Sequence, residues 1–203
     1  MQVDFAEGGT SPIPGTTAVL PNVQRLAAGY RQAELPLVHI VRLYSPTGSD
    51  VDLSRRALIE AGTCLVAPGS PGSAIIPELL EPAAEVQAEL LLTGRPQILS
   101  ETEIVLFKPR WGAFYRTELL AWLTERSIDT VVVAGCNLPN CPRATLFEAS
   151  ERDFRTVLAK DAVSQASTER LQDLAGIGVN LLPTAEIIQQ LTTSRNPLGH
   201  EVS

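Results

Sequence analysis

The order of apolar and polar positions along the chain predicts alternating strands and helices. Short apolar runs rich in β-branched residues predict buried strands, and segments with apolar residues three or four positions apart predict amphipathic helices. The predicted strands are 37–43, 103–107, 130–134, 154–159 and 179–182. The predicted helices are 21–33, 52–61, 117–126, 141–152, 168–175 and 184–191. Strands that are apolar on both faces and alternate with helices indicate an α/β fold, with a parallel sheet covered by helices on each side.

The remaining segments are expected to connect these elements within one domain. Residues 2–5 resemble the tail of a strand, and the Pro/Gly/Ser-rich segment 68–74 is interpreted as a tight internal loop instead of a domain boundary. The 203 residues therefore predict a single domain. Residues 192–203 are polar and are expected to form a loose tail.

Composition and charge exclude several classes of function. Apolar residues make up 44% of the chain and charged residues 19%, which is typical of a globular protein. With 16 basic and 23 acidic residues the net charge is −7, and no basic cluster suggests a nucleic-acid partner. No apolar run suggests a membrane span and no signal-peptide pattern is present. Three cysteines do not form a disulfide framework, so a reduced, cytoplasmic setting is expected.

Chemistry-bearing residues follow three of the predicted strands. Parallel sheets bind ligands at the carboxyl ends of their strands, where Lys108, residues 135–141 and Asp161 fall. Cys141 stands at the start of a predicted helix, next to Pro142, and unpaired N–H groups at a helix N-terminus favour a thiolate there. The fingerprints of dinucleotide-binding and P-loop sites are absent from the sequence. The turn that ends at Cys141 is therefore the candidate catalytic centre.

Neither histidine is placed to serve as the base for this thiol. His39 lies inside an apolar strand, where a buried and hydrogen-bonded structural role is expected, and His200 lies in the tail. A carboxylate as proton acceptor, with Lys108 as an electrostatic helper, is what remains. Cys136 and Cys141 have a CxxxxC spacing that is not typical of zinc sites, so neither a metal nor another cofactor is expected. Cys64 and Cys136 are interpreted as small buried apolar residues.

Four segments, in order, resemble the isochorismatase-like cysteine hydrolases, a family that includes nicotinamidases and N-carbamoylsarcosine amidohydrolase. MQVDF at 1–5 is similar to the latter part of the family's opening D-x-Q-x-D-F, and PGSPGSAIIPEL at 68–79 to its P-G-T-x-G-x-x-I-V-P-E-L. KPRWGAF at 108–114 is similar to K-x-R-x-S-A-F, and GCNLPNC at 135–141 to the nucleophile loop G-x-x-T-N/D-x-C. The similarity extends from residue 1 to about residue 191.

The resemblance implies a three-layer α/β/α fold and an Asp–Lys–Cys triad without histidine. By the motif matches, Cys141 is the nucleophile and Lys108 the triad lysine. The oxyanion donors are expected to be the main-chain N–H groups of Cys141 and of Asn137, the residue that follows a cis peptide bond in the family's loop. The metal-binding Asp/His set of nicotinamidases has no counterpart where this chain reads RLYSP at 42–46, so a metal-independent site is expected.

The sequence departs from the family at two places in this site. The triad aspartate is the first residue of D-x-Q-x-D-F and falls immediately before Met1, so the first strand and its aspartate are expected to be missing from this chain, most simply by truncation. Asp4 matches the second aspartate of the motif, which is not the base. Leu138 and Pro139 replace the usual Thr-Asn/Asp pair of the nucleophile loop.

The implied function is hydrolysis of a C–N bond in a small amide, ureide or carbamoyl compound. Phe5, Arg42 and Trp111 are expected to contact the substrate, with Arg42 holding a carboxylate. A loop-anchoring salt bridge is the alternative for Arg42, and a core or subunit-interface position is the alternative for Trp111. Isochorismatase-type vinyl-ether hydrolysis and a non-catalytic small-molecule-binding role are the alternative functions. Beyond a small-molecule substrate, the expected partner is a second copy of the chain, in a homodimer or homotetramer.

Overall fold

The computed structural model describes residues 1–80 and 84–194, without the side chains of 192–194. Its helices are α1 Thr16–Gln32, α2 Leu53–Glu60, α3 Ala88–Leu92, α4 Leu119–Glu125, α5 Cys141–Ser150, α6 Thr168–Gly176 and α7 Thr184–Ser194. Its strands are β1 Leu37–Val41, β2 Gln97–Ile98, β3 Glu103–Phe107, β4 Thr130–Gly135, β5 Arg155–Val163 and β6 Asn180–Leu182.

The strands form two three-stranded sheets, with orders β1-β3-β2 and β4-β5-β6. Every pair is parallel except β2 with β3. Helices α1 and α7 pack together on one face, and α1 contacts strands of both sheets. On the other face, α4 and α5 share an apolar cluster with β3, and α6 packs on β6. The predicted three-layer α/β/α architecture with a mainly parallel sheet is confirmed.

The predicted bounds of β3 and the predicted start of α5 are confirmed. Strand β3 has the predicted bounds, because its apolar run is flanked by polar residues. Helix α5 begins at Cys141, with Pro142 as its second residue, where the missing N–H of proline needs no partner. The segment 68–74 is an internal loop that leads into a bridge between Gln2 and Ile75.

Other boundaries differ from the prediction. Helix α1 begins at Thr16, five residues before residue 21, so Pro21 lies inside it. Proline cannot donate to the carbonyl group of Thr17, but Leu20 and Val23 pack against the core and favour continuing the helix. Strand β1 ends at Val41 instead of residue 43. Residues Val3–Phe5 form a 3-10 helix and not the tail of a strand.

The C-terminal half shows two further corrections. Strand β5 continues to Val163 instead of ending at residue 159. Helix α7 continues to Ser194, so the expected loose tail does not begin at residue 192, and residues 195–203 lie outside the described part of the chain together with His200. The short elements α3 and β2 are not among the predicted elements.

Candidate active site

A cavity of about 700 Å³ lies between the facing edges of β1 and β4. Its lining includes most of both strands, together with apolar side chains of α1, α4 and α7. At the carboxyl ends of the strands, the lining includes five residues with reactive, charged or hydrogen-bonding side chains: Gln2, Arg42, Lys108, Cys136 and Cys141. The structure therefore brings the predicted nucleophile and lysine together in one cavity.

Lys108 extends from the carboxyl end of β3 into this cavity. It is buried, and its ammonium group donates a hydrogen bond to the main-chain oxygen of Trp111. Burial lowers the pKa of Lys108, and the charge of Arg42 lowers it further, while interaction with Cys141 partly offsets both. Lys108 and Cys141 both line the cavity, and the interaction that raises the pKa of Lys108 is the one expected between an ammonium group and a nearby sulfur atom.

The loop that carries Lys108 is fixed to the helix that carries Cys141. Thr145 and Glu148 lie four and seven residues after Cys141, on the same face of α5. The hydroxyl of Thr145 accepts from the N–H of Ala113 at 3.2 Å, and the carboxylate of Glu148 accepts from the N–H of Phe114 at 2.8 Å. A Cβ at Gly112 would collide with the Glu148 carboxylate, which is why glycine suits this position.

Two main-chain N–H groups at the turn before α5 are available for an oxyanion. The peptide bond between Cys136 and Asn137 is cis, so Asn137 is the residue that follows a cis peptide bond, as the resemblance implied. The N–H of Leu138 is already bonded to the carbonyl of Ser164. Among the described residues, the N–H groups of Asn137 and Cys141 have no hydrogen-bond partner. Their service as oxyanion donors remains a prediction.

The first two residues close the carboxyl end of the cavity. The side-chain amide of Gln2 donates to the carbonyl of Arg42 at 2.8 Å and accepts from its N–H at 2.7 Å. Met1 lies against Gly135, at the end of β4, and its α-amino group is buried close to Cys136 and Lys108. Burial lowers the pKa of this amino group and raises the pKa of the Cys136 thiol.

The three predicted substrate contacts have different surroundings. Arg42 is 5% exposed and forms an ion pair with Asp52, which also accepts from the hydroxyl of Tyr44 at 3.1 Å. The Nε atom of Arg42 is buried and has no hydrogen-bond partner among the described residues. Phe5 lines the cavity. The side chain of Trp111 is outside the lining, and its residue is 41% exposed, so Trp111 is not a core residue.

The carboxylates of two aspartates near the site accept hydrogen bonds from other segments of the chain. Asp4 accepts hydrogen bonds from the N–H groups of Val66 at 2.6 Å and Thr10 at 3.2 Å. Asp161 was expected at the end of a strand, but β5 continues past it. Its carboxylate accepts from the N–H and the hydroxyl of Thr184 at 2.7 and 2.8 Å, at the start of α7. Asp161 therefore fixes a helix and is not part of the cavity.

Sequence comparison identifies the family to which the chain belongs. A sequence model of the isochorismatase domain matches residues 1–188. The chain belongs to the isochorismatase family. A probable inactive nicotinamidase of Arabidopsis thaliana is 29% identical over 186 residues, which are 88% of this chain and 86% of the relative. N-carbamoylsarcosine amidase of an Arthrobacter species is 28% identical over 168 residues, which are 80% of this chain and 58% of the relative.

A solved structure shows the same isochorismatase fold. The crystal structure of an isochorismatase family protein from Desulfovibrio vulgaris has a TM-score of 0.80 and 28% identity, and the match covers 95% of this chain and 94% of that one. Among the described residues of this isochorismatase-family chain, no helix is long and apolar enough to cross a bilayer. The described part of the chain also contains no group of three or more histidine, cysteine, aspartate or glutamate side chains arranged to hold a metal ion.

His39, Cys64 and Cys136 differ in how far each is buried. His39 is buried and its Nε2 atom is 2.6 Å from Glu103, which confirms a hydrogen-bonded structural histidine. Cys64 was expected to be buried but is exposed, because the adjacent Leu65 and Val66 occupy the core positions. Cys136 is only partly buried as a residue.

Sequence reasoning missed the residues that position the site. Gln2, Asp52, Thr145 and Glu148 all act through hydrogen bonds to other segments of the chain. For Thr145 and Glu148 a signal existed, since their spacing from Cys141 places all three on one helix face. Nothing local to the sequence indicated which loop they would bind.

Proposed function

We propose that this chain is a metal-independent cysteine hydrolase that cleaves the C–N bond of a small amide, ureide or carbamoyl compound. The observation that supports it best is that buried Lys108 and Cys141, the first residue of α5, line the same end of one cavity. The two unpartnered N–H groups of the same turn add a place for developing negative charge. A small-molecule substrate of this kind fits the cavity, since most of its lining is apolar with polar groups at one end.

The proposed reaction has two steps. The sulfur of Cys141 attacks the carbonyl carbon, and the resulting oxyanion accepts from the N–H groups of Asn137 and Cys141. Collapse breaks the C–N bond, and the proton that leaves the thiol passes through a carboxylate to the departing amine. Water then attacks the thioester, releases the acid and restores the thiol. Each oxyanion donor of this type contributes about 3–4 kcal/mol to transition-state stabilisation.

By the motif matches, the carboxylate in this scheme is the first residue of D-x-Q-x-D-F, which is not among residues 1–203. Among the described residues, no aspartate or glutamate is hydrogen-bonded to Cys141, and Asp4 is already bonded to Val66 and Thr10. Lys108 would hold the carboxylate and the sulfur in one cluster. The chain without that aspartate would keep a reactive cysteine but turn over slowly.

Arg42, Phe5 and Trp111 are proposed to set the substrate preference. The guanidinium of Arg42 keeps one buried N–H group without a partner in the described part of the chain, and its ion pair with Asp52 and its position over the Tyr44 ring hold it at one end of the cavity. A carboxylate on the substrate is the complementary group. Phe5 would cover the apolar part of the substrate, and Trp111 would act from the rim.

A non-catalytic small-molecule-binding protein is the second candidate. It is favoured by the absence of a carboxylate at Cys141 within the described residues, and a matched relative is named as a probable inactive nicotinamidase. The same cavity would then bind an amide without cleaving it.

Ammonia release and protein mass test the proposal together. The chain, and a form extended by an aspartate before Met1, are incubated with a panel of small amides, ureides and carbamoyl amino acids that includes N-carbamoylsarcosine. If the protein is a hydrolase, ammonia release and a transient acyl adduct on Cys141 are expected. Both should be lost in Cys141→Ala and retained in Cys64→Ala. Turnover that persists in Cys141→Ala would contradict the mechanism. Binding without turnover in either form would favour the second candidate.

Assembly into a homodimer or homotetramer also remains a proposal. Trp111, Tyr115 and Phe147 are large apolar residues with substantial exposure, and such residues are enriched at protein interfaces. Light-scattering mass in solution gives the oligomeric state, and a monomer at micromolar concentration would contradict the expectation.

A further inference from the structure

The turn before α5 is bonded to the segment that follows β5. The N–H of Leu138 donates to the carbonyl of Ser164 at 2.9 Å, and the N–H of Ser164 donates to the carbonyl of Gly135 at 3.1 Å. The side-chain amide of Asn137 adds a third bond, because it donates to the side-chain oxygen of Gln165 at 2.9 Å. The turn that carries the predicted oxyanion donors is therefore held by one neighbouring segment, through main chain and side chain together.

Irregular pairing between β4 and β5 brings this segment to the turn. Val133 pairs with Leu158, but Gly135 pairs with Val163, so β5 contains more residues than β4 over this stretch. Extra residues of this kind, as in a β-bulge, redirect the side chains that follow and are frequent next to active sites. Because of them, Gln165 lies beside the end of β4 instead of beyond it.

The main chain of Gln165 has an uncommon conformation that its neighbours hold in place. Its φ is 58°, in the left-handed region that residues other than glycine seldom adopt. The guanidinium of Arg170 donates to the main-chain oxygen of Gln165 at 2.7 Å. The hydroxyl oxygen of Ser167 accepts from the N–H of Arg170 at 3.3 Å, at the start of α6. The first turn of α6 therefore helps to fix the direction in which the Gln165 side chain points.

The bond to Gln165 occupies the side chain of Asn137 but leaves its main-chain N–H available. Asn137 is 8% exposed, and its side-chain amide donates to Gln165, so this side chain is held away from a role in substrate binding. The N–H of Asn137 has no partner among the described residues. Such a donor stabilises an oxyanion best when it is already oriented before the charge develops. Holding the side chain restricts rotation of the peptide group that carries this N–H.

We infer that Gln165 is a positioning residue for the oxyanion donor Asn137. Its side-chain oxygen holds the side chain of Asn137 and thereby keeps the N–H of Asn137 directed at the oxygen that gains charge. Gln165 acts through Asn137 and does not itself line the cavity. This inference rests on the proposed function, because it concerns the oxyanion of that reaction.

Reversible addition of butyraldehyde to Cys141 tests the role of Gln165 without cleavage of a C–N bond. The sulfur forms a bond to the aldehyde carbon, the π electrons of the C=O bond move to the oxygen, and the thiol proton ends on that oxygen. The oxygen of this thiohemiacetal takes the place of the oxyanion and accepts from the same N–H groups. Since the adduct blocks alkylation, the butyraldehyde concentration that halves the rate of iodoacetamide labelling at Cys141 measures the affinity.

Three single variants and one double variant are compared with the parent. Gln165→Met keeps the length of the side chain without its acceptor and is expected to weaken the affinity for butyraldehyde about tenfold. Asn137→Ala removes the same bond from the other side, keeps the main-chain N–H and should have the same effect. The double variant should be no weaker than either single variant, because all three lack one and the same bond. Gln172→Met, at an exposed position of α6, is the matched control and should bind butyraldehyde as the parent does.

The labelling rate without butyraldehyde separates positioning from a general loss of structure. Alkylation by iodoacetamide forms no oxyanion, so this rate at Cys141 should be the same in the parent and in all variants. If Gln165→Met does not fold, Asn137→Ala provides the same comparison. Parental affinity in the single variants, losses that multiply in the double variant, or a parent that butyraldehyde does not protect would overturn the inference.

Ammonia release is not needed for this measurement, so the two proposals can fail separately. The expected losses of affinity in a protein that hydrolyses none of the amides tested would support the role of Gln165 and contradict only the proposed hydrolysis. Ammonia release by the parent, with unchanged affinity for butyraldehyde in Gln165→Met, would contradict only the role of Gln165.

Discussion

The main-chain N–H of Phe114 donates to the carboxylate of Glu148 at a distance of 2.8 Å. This bond connects the loop that carries Lys108 to the helix that begins with Cys141. Thr145 makes a second connection through Ala113. The distance between the cysteine and the lysine is therefore set by α5 itself, and not only by the ends of the strands.

Replacing Glu148 by alanine is expected to loosen this connection. The N–H of Phe114 would lose its partner, so the free energy of unfolding should fall by about 1–3 kcal/mol, and iodoacetamide should modify Cys141 several-fold more slowly. Denaturation curves and labelling rates measure the two effects. Glu151→Ala, at an exposed position just after α5, is the matched control and should change neither quantity. An unchanged labelling rate in Glu148→Ala would show that the loop holds Lys108 without this bond.

The buried Glu103 predicts a pH dependence of stability. Burial alone would raise its pKa, but hydrogen bonds from Arg31 and His39 outweigh burial and lower the pKa from 4.5 to about 2. The ionised form is therefore favoured by folding, and its contribution is complete above about pH 5 and lost as the pH falls toward 2. The contribution is at most about 3 kcal/mol.

Glu103→Gln should accordingly be less stable than the parent at pH 6 and should lose less stability between pH 5 and pH 3. Chemical denaturation at several pH values measures both. The control is Glu101→Gln, since Glu101 is exposed two residues away and should leave the parent's pH profile intact. If the free energy of unfolding changes equally with pH in the parent and in Glu103→Gln, Glu103 is not the source of the pH dependence.

The role of Arg42 can be measured with two alkylating reagents, one negatively charged and one neutral. Iodoacetate carries a carboxylate and iodoacetamide does not, so a guanidinium in the cavity should favour the first reagent at Cys141. Replacing Arg42 alone would leave Asp52 as a buried, unpaired charge, which costs about 3–5 kcal/mol. The test therefore uses Arg42→Gln together with Asp52→Asn.

The double variant is expected to lower the ratio of iodoacetate to iodoacetamide labelling several-fold, while Arg155→Gln, whose side chain is 77% exposed, should keep it. A constant ratio with lower stability would instead identify the Arg42–Asp52 pair as an anchor of the loop after β1.

The sequence predicted elements whose signal is local and misplaced those that depend on distant contacts. Strand β3 and the start of α5 follow from an apolar run and from Pro142. The charged pair Lys160 and Asp161 suggested the end of a strand, yet β5 continues because Lys160 points outward and Asp161 is bonded to Thr184. No local pattern distinguishes a charged pair that ends a strand from one that lies within a strand.

The same reasoning explains what was missed at the site. Cys141 and Lys108 could be selected because each follows a strand, and strand ends meet at one edge of a parallel sheet. The division of the sheet into two parts is a property of pairing between distant segments, so the cavity between β1 and β4 could not be read from either strand. The attachment of Gln2 to Arg42 is nonlocal in the same way.

The central claim, that Lys108 activates Cys141, is tested most directly by the rates at which iodoacetamide modifies the individual cysteines near neutral pH. Cys64 is exposed and Cys141 is only partly exposed, so access alone favours Cys64. We predict that Cys141 reacts faster than Cys64 in spite of this, and that Lys108→Met removes the advantage without changing the rate at Cys64. A Cys141 that reacts no faster than Cys64, or equally fast without Lys108, would contradict the account.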